Sequence, residues 1–352
     1  MSSIFKIGTR ESELAVWQAT QVQNLLHEQG QPSELIYIKS EGDIDLQTPL
    51  YEMGVQGIFT RSLDIALLNG SIDIAVHSMK DVPTQLPNGI VQAAVLKRGN
   101  YKDLFVVNSQ WSKEDKGERS KVKGGELSIV NSESQLVAAD MEAFLDSLKA
   151  SEISPFTIHH SLQENFPITI ATSSIRRKAQ WLNRYPDHAI DNLRGNVNTR
   201  MRKVGESSWH GAIFAAAGLE RINLRPQNSI ELDWMLPAPA QGAVMVVCRH
   251  EATEVLNACA LFNDEPTATC AKIERDFLRE LLGGCSTPIS ALAQIENGFI
   301  YFKGNILSVD GKQKVSIEKT IAKNEAEGWG SQLANELLKN GGQVIADGIR
   351  SK

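Results

Sequence analysis

The sequence predicts an α/β protein of two or three domains in which the first sheet is mostly parallel. Three observations support this prediction. The chain has 352 residues, which is more than one typical domain contains. Strand-like and helix-like segments alternate over residues 4–77, as in a parallel sheet with crossover helices. From about Pro266 onward the pattern becomes that of a small α+β unit.

The first elements are predicted from hydrophobic spacing. A strand at 4–8 leads into a turn, and apolar residues over 14–26 then recur at helical spacing, with Ser12 as the expected N-cap. A second strand is predicted at 35–42. The helix that follows is expected to stop at Asn69, which precedes a glycine.

The most informative turn follows the apolar run 72–76, which reads as a short buried strand. Four polar side chains enter this turn before a proline closes it: His77, Ser78, Lys80 and Asp81. Open α/β sheets place their chemistry at the carboxyl ends of strands. Asp81 is expected to stay ionised beside Lys80, and to stabilise a developing cation or carry a proton. The alternative for Asp81 is a structural Asp turn ahead of Pro83, and His77 is expected to be structural.

The second half of the chain again shows a strand, a turn and a helix, over 167–182. Apolar runs follow at 212–222 and 242–249. Between the halves, the polar segment 110–127 is expected to be exposed, and 136–149 has the spacing of an amphipathic helix.

Arginines crowd the second half of the chain at Arg176, Arg177, Arg194, Arg200 and Arg202. Two of them follow Thr172, Ser173 and Ser174, directly after the predicted strand. A helix that starts there would offer free N–H groups, hydroxyls and guanidinium groups to an anion. A solvated basic face is the alternative. Arg10 and Ser12 occupy the matching turn of the first half, so two lobes facing across a cleft would close on a polyanionic ligand.

The C-terminal unit is predicted to contain a helix at 270–282, a hairpin strand at 298–307 and a final helix at about 324–339. Two glycines precede Cys285, so a ligand can approach its sulfur closely. A thiol on such a loop serves as a nucleophile or an attachment point, although a packing role is the alternative. Packing is the expected role of the other three cysteines: Cys248, Cys259 and Cys270.

Composition excludes several classes of function. The formal net charge of −6 gives no overall attraction to nucleic acid or to anionic membranes. The N-terminus has no apolar signal region, and no stretch is long enough to span a bilayer. The four cysteines form no C-x-x-C pair, so a metal site is not expected and a reducing cytoplasm is.

Taken together, the motifs resemble the porphobilinogen deaminase family, also called hydroxymethylbilane synthases. The matching pieces are IGTRESELAVWQA, TPLYEMGVQGIFTRSLDIALLNG, DIAVHSMKDVPTQLP, ATSSIRRKAQW, LRGNVNTR, AAAGLERI, PAPAQGAV and LLGGCSTPI. They follow the order of the family and span roughly residues 4 to 290. HSMKDVP combined with a late GGC is highly specific.

The resemblance implies an α/β fold of three domains, two of them doubly wound lobes like periplasmic binding proteins and the third a small α+β domain. By analogy, the first domain takes 1–98 and 243–260. The second takes 101–236, with an insertion near 110–165, and the third takes 265–352.

The resemblance also implies an activity. Four porphobilinogen molecules condense head to tail with release of ammonia, and hydrolysis then frees linear hydroxymethylbilane for haem and porphyrin biosynthesis. Asp81 is the implied catalytic residue, and Cys285 the implied thioether anchor of a dipyrromethane cofactor. The implied cofactor-binding residues are Lys80, Ser78, Thr172, Ser173, Ser174, Arg176, Arg177, Arg194 and Gly195. The implied substrate-binding residues are Arg10, Ser12, Arg176, Arg200, Phe59 and Gln241.

The chain departs from the family pattern in a few places. Glu52 and Gln56 stand where the family usually has basic loop residues, Ala171 replaces a glycine, and Val247 stands near a usual acidic position. A monomer without nucleic-acid or membrane partners is expected. Two alternatives stay open: a non-catalytic two-lobed protein that binds an anionic small molecule, and a nucleic-acid binder that uses the arginines.

Overall fold

The computed structural model describes residues 4–39, 60–111, 144–146, 168–281 and 287–350. The strands are β1 (Phe5–Thr9), β2 (Ser33–Tyr37), β3 (Ile74–Ser78), β4 (Ile90–Leu96), β5 (Asp103–Val107), β6 (Thr169–Ala171), β7 (Ala189–Asp191), β8 (Gly211–Ala215), β9 (Ile230–Glu231), β10 (Val244–Arg249), β11 (Ile289–Glu296), β12 (Phe299–Leu307) and β13 (Lys314–Ala322). The helices are α1 (Glu13–Glu28), α2 (Arg61–Leu68), α3 (Ile175–Arg184), α4 (Val197–Glu206), α5 (Ala216–Glu220), α6 (Thr253–Ala260), α7 (Glu265–Leu281), α8 (Trp329–Leu337) and α9 (Gln343–Arg350).

The first lobe is built on a five-stranded sheet of order β2-β1-β3-β10-β4. β1 runs parallel to β2 and β3, whereas β10 runs antiparallel to β3 and β4. The apolar stripe of α1 packs on one face of the sheet through Val22 and Leu26, and α2 contributes Leu63 and Leu67 to the core on the other face. Because both faces are covered, the central strand β3 is buried over four of its five residues.

The second lobe has a sheet of the same plan, with order β7-β6-β8-β5-β9. β6 is parallel to β7 and β8, and β5 is antiparallel to β8 and β9. The core of this lobe is rich in aromatic rings, with Phe105 stacked on Trp181 at 5.6 Å between centroids. In the first sheet the antiparallel strand β10 comes from the second lobe, and in the second sheet the antiparallel strand β5 comes from the first lobe. The chain therefore passes twice between the lobes.

The two crossing segments lie side by side. Gly99 donates its backbone N–H to the carbonyl of Gly242 at 3.0 Å. Gly242 has a φ of +88°, and a Cβ there would lie 2.7 Å from the carbonyl oxygen of Gly99. Glycine is therefore required for the close approach of the two crossings.

The C-terminal unit is the antiparallel sheet β11-β12-β13, with helices packed on one face. Its core pairs Phe277 of α7 with Phe302 of β12 at 5.0 Å between ring centroids. None of the helices in the described part of the chain is both long and apolar enough to cross a membrane.

The α/β fold with two open sheets and a small C-terminal sheet confirms the predicted fold class. Individual bounds differ. β2 ends at Tyr37 rather than at residue 42. α7 begins at Glu265, five residues before the predicted start, because the Asp264 carboxylate accepts the N–H of Thr267 at 3.0 Å and caps the helix.

The final helix is also shorter than predicted. A 3₁₀ turn, Lys323–Glu325, precedes α8, and non-helical backbone at Asn340 and Gly341 separates α8 from α9. The predicted segments 110–127 and 136–149 lie mostly outside the described residues, although 144–146 are helical.

Candidate active site

The carboxyl end of β3 and the turn after β1 open onto a pocket with an empty volume of about 280 Å³. Its polar lining residues are Arg10, Gln18, Thr60, His77, Ser78 and Asp81. The structure therefore brings together three of the predicted site residues, namely Arg10, Ser78 and Asp81.

Asp81 ends a 3₁₀ turn, Met79–Asp81, that continues β3. Met79 and Val82 are each only 1% exposed and anchor the turn in the core, whereas Asp81 is exposed. Burial of the apolar residues on either side leaves the carboxylate at the pocket. Asp81 is also close enough to Arg200 of the second lobe for their charges to interact.

Gln18 is a pocket residue that the sequence analysis missed. It lies on the buried face of α1, and its Nε2 donates to Ser78 Oγ at 2.9 Å. A polar side chain within the otherwise apolar stripe of a helix was the available signal, because buried polar groups are retained where they have a partner.

His77 is buried and borders the same pocket. Burial, helped by the positive charge of Arg10, lowers its pKa to about 3. The ring is therefore neutral at pH 7. It does not serve as a general acid at that pH, and the carboxylate that lines the same pocket is that of Asp81.

In the second lobe, the turn between β6 and α3 forms as the sequence predicts. Ser174 is the N-cap of α3, and its Oγ accepts the N–H of Arg177 at 3.4 Å. The Thr172 hydroxyl oxygen accepts the N–H of Ser174 at 3.2 Å, and Ser173 lies half-buried between them. Both hydroxyls thus brace the start of the helix.

Arg176 and Arg177 have a partner that the sequence analysis did not foresee. Sequence reasoning assigned them ligand carboxylates, but in the structure both contact the buried carboxylate of Asp103. Arg176 Nη2 lies 2.7 Å from Asp103 Oδ2, and Arg177 Nη2 lies 2.7 Å from Asp103 Oδ1. Burial by itself would raise the pKa of Asp103, but the two guanidinium groups lower it to about 2. A permanent anion therefore holds the two arginines at this end of α3.

The buried arginine pair is linked to the first lobe through Gln241. Its Nε2 donates to Asp103 Oδ1 at 2.9 Å, and its Oε1 accepts from Lys80 Nζ at 3.4 Å. Gln241 lies on the second crossing segment and is 1% exposed. Gln241, predicted to bind substrate, thus connects Lys80 of the Met79–Asp81 turn with the arginine pair across the junction between the lobes.

Lys80 lies within this junction. Burial lowers its pKa to about 8, an effect that the charge of Asp81 opposes and that of Arg177 reinforces. Lys80 is thus a cation at pH 7, but it loses its proton at a much lower pH than an exposed lysine does.

The turn before α4 and the helix itself supply two more of the predicted arginines, Arg194 in the turn and Arg200 in the helix. Gly195 has a φ of +119°, and a Cβ there would lie 2.7 Å from Thr199 Cγ2, so glycine is needed for the turn. Its carbonyl accepts from Arg200 Nε at 2.7 Å. Burial lowers the pKa of Arg200 to about 10, and the charges of Arg177 and Arg194 add to this effect. Arg194 is 4% exposed.

The remaining predicted residues are not among those lining the pocket or are not described. Ser12 is the N-cap residue of α1, but its side chain makes no capping hydrogen bond. Phe59 and Cys285 lie outside the described residues. The structure thus joins Asp81 and Lys80 of one lobe with arginines of the other.

Two family models match most of the chain. The family model described as porphobilinogen deaminase, dipyrromethane cofactor binding domain, matches residues 5–128 and 156–257. The model of the porphobilinogen deaminase C-terminal domain matches 268–339.

Similar proteins agree with the family models. The porphobilinogen deaminase of Syntrophomonas wolfei is 34% identical over 345 residues, covering 97% of each chain. That of Campylobacter hominis is 32% identical over 341 residues, covering 96% of this chain and 95% of the relative. Apo YehZ from Escherichia coli is a solved structure with 11% identity and a TM-score of 0.37, covering 81% of this chain and 95% of its own, and it carries no weight in the assignment. The two family models and the near full-length relatives show that the chain belongs to the porphobilinogen deaminase family.

Proposed function

We propose that this hydroxymethylbilane synthase uses Asp81 as its catalytic carboxylate and Cys285 as the thioether anchor of a dipyrromethane cofactor. The reaction is the stepwise head-to-tail condensation of four porphobilinogen molecules with release of ammonia, followed by hydrolysis to hydroxymethylbilane. One observation carries the assignment of Asp81: the carboxylate lines a pocket of the first lobe and interacts electrostatically with Arg200 of the second.

The charges of the cleft fit this substrate. Porphobilinogen carries an acetate and a propionate, so each condensation adds carboxylates to the growing chain. The protein itself is net acidic, and the cations that meet such a ligand must therefore be concentrated locally. Arg10 and Arg200, one from each lobe, are proposed to bind substrate carboxylates together with Ser12, Arg176, Phe59 and Gln241. Guanidinium groups suit this role because they pair with carboxylates in a bidentate manner.

The same cleft fits a dipyrromethane, which is built from two substrate units and is likewise anionic. The buried Nε of Arg176 has no hydrogen-bond partner among the described residues, so one donor of the arginine pair is left for a ligand. The cofactor supplies the primer from which the pyrrole chain grows. The residues proposed to hold it are Lys80, Ser78, Thr172, Ser173, Ser174, Arg176, Arg177, Arg194 and Gly195.

Asp81 is proposed to act on the reacting nitrogen atoms. Loss of ammonia and coupling of the pyrroles both create positive charge, which a fixed carboxylate stabilises. Its oxygen atoms line the same pocket and are also proposed to transfer a proton during the reaction. Lys80 and Arg200 then carry the positive charge that faces the ligand's carboxylates.

Intact mass spectrometry tests the proposed cofactor. Protein made in cells that synthesise porphobilinogen is expected to exceed the polypeptide mass by two pyrrole units, and Cys285→Ser is expected to show the bare mass. Cys270→Ser is the matched control, because Cys270 is a buried thiol of α7 and should leave the added mass intact. A bare mass in the unaltered chain would contradict the proposal and favour the alternative of a non-catalytic binding protein.

Attachment of the cofactor is also expected to depend on pH. Lys80 has a pKa of about 8 in the free cleft, so the protonated fraction falls about tenfold between pH 7 and pH 9. The rate at which cofactor-free protein gains pyrrole mass from porphobilinogen should fall in parallel. Lys80→Arg keeps its charge over this range and should remove that part of the pH dependence. An identical fall in both proteins would exclude Lys80 as its cause.

The domain division belongs to the same proposal, with domains at 1–98 plus 243–260, 101–236 and 265–352. It is supported by the membership of the three sheets, because β10 lies in the first sheet and β5 in the second. A cytoplasmic location and a monomeric state are likewise proposed, and light scattering of the purified chain checks the second.

A further inference from the structure

The helix α7 links the C-terminal unit to the catalytic turn. Ala271 of α7 belongs to the same apolar core as Met79 and Val82, which anchor the turn from below. Further along the helix, Phe277 packs in the core of the C-terminal unit. One helix therefore contributes to both cores, and residues on its first-lobe face lie directly beneath the turn that carries Lys80 and Asp81.

Arg275 lies on that face, four residues after Ala271, and is 8% exposed. Its Nη1 donates to the carbonyls of Met79 at 3.1 Å and Val82 at 2.9 Å, and its Nη2 donates to the carbonyl of Pro83 at 2.6 Å. The three carbonyls bracket Lys80 and Asp81 in the chain. A guanidinium group supplies a rigid fork of donors for this purpose, whereas a lysine would offer one point charge.

We infer that Arg275 is a positioning residue that fixes the backbone of the catalytic turn from the C-terminal unit. Hydrogen bonds to carbonyls on both sides of Lys80 and Asp81 fix the backbone positions from which these two side chains extend. Precision matters here, because a shift of about 1 Å in a catalytic group can lower a rate about 100-fold. The inference rests on the proposed role of Asp81.

The test compares Arg275→Gln and Arg275→Lys with Arg279→Gln. Arg279 lies one turn later on α7, is exposed and pairs with Asp276 at 2.9 Å, so it serves as the matched control. Arg275→Gln should lower kcat for porphobilinogen by about 10- to 100-fold, with KM changed less than about twofold. Arg275→Lys should show a smaller loss of kcat than Arg275→Gln. Arg279→Gln should behave like the unaltered enzyme, and all variants should keep the pyrrole mass.

Hydrogen–deuterium exchange supplies a readout that does not depend on activity. Peptides covering 76–84 should exchange faster in Arg275→Gln, while peptides of β1 and α1 should not change. An unchanged kcat, or faster exchange spread over the whole first lobe, would overturn the inference. If circular dichroism shows that the glutamine variant is unfolded, the lysine variant is judged by the same two readouts. A different outcome would count against the proposed function: the unaltered chain shows no turnover of porphobilinogen, while Arg275→Gln still loosens the turn locally.

Discussion

Replacing Asp81 by alanine is expected to lower the turnover of porphobilinogen by about 1,000-fold, with the fold and the attached cofactor retained. In enzymes, losing one stabilising group costs about 10²- to 10³-fold and losing a proton carrier about 10²- to 10⁴-fold, and the two losses do not multiply here because one carboxylate serves both roles. Little loss of stability is expected, because Asp81 is exposed and its turn is held by the buried Met79 and Val82.

Two further variants complete the test, one that separates the charge of Asp81 from its shape and one that serves as a control. Asp81→Asn keeps the size of the side chain and should be nearly as slow as the alanine variant. Glu11→Ala is the matched control, because Glu11 is an exposed acid in the neighbouring turn after β1. Steady-state assays on protein of verified mass provide the comparison. Turnover in Asp81→Ala within a few-fold of normal would remove Asp81 from the chemistry.

The parts of the fold that follow from local sequence were predicted correctly. The strand, turn and helix over 167–182 became β6 and α3, because apolar spacing and a capping Ser174 specify them within a short window. The antiparallel position of β10 was not predictable in this way. Its apolar run shows a buried strand, but its direction depends on a crossing from the second lobe, which leaves no periodic signal.

The candidate site likewise contains residues that local sequence predicts and residues that depend on distant contacts. The cations were found from sequence, because they cluster beside strand ends. Their internal partner Asp103 was missed, since an acid at the start of a strand looks like any surface residue until Arg176, 73 positions later, is packed against it. Arg275 was missed for a similar reason, because the helical pattern of α7 indicates a polar position without showing which residues the side chain contacts.

The Asp103 contacts imply the largest effect on stability. Removing one partner from a buried ion pair leaves an uncompensated charge and costs about 3–5 kcal/mol. Asp103→Ala would leave both Arg176 and Arg177 in this state, since they are only 4% and 6% exposed and both contact the same carboxylate. The free energy of unfolding in urea at pH 7 is therefore expected to fall by about 3–5 kcal/mol.

An exposed pair provides the comparison. Arg202 and Glu206 pair along α4 with both side chains more than half exposed, so Glu206→Ala should cost about 0.5 kcal/mol or less. Similar losses in the two variants would show that the buried arginines are compensated by something other than Asp103.

The pH dependence of stability gives an independent check on Asp103. Its pKa is about 2 in the folded protein against 3.8 for the ordinary group. The carboxylate therefore stabilises the fold above about pH 4, and this contribution is lost as the pH falls through 2. The stability difference between the unaltered protein and Asp103→Ala should shrink over that window. A difference that stays constant down to pH 2 would mean that packing, and not the charge of Asp103, holds the arginine pair in place.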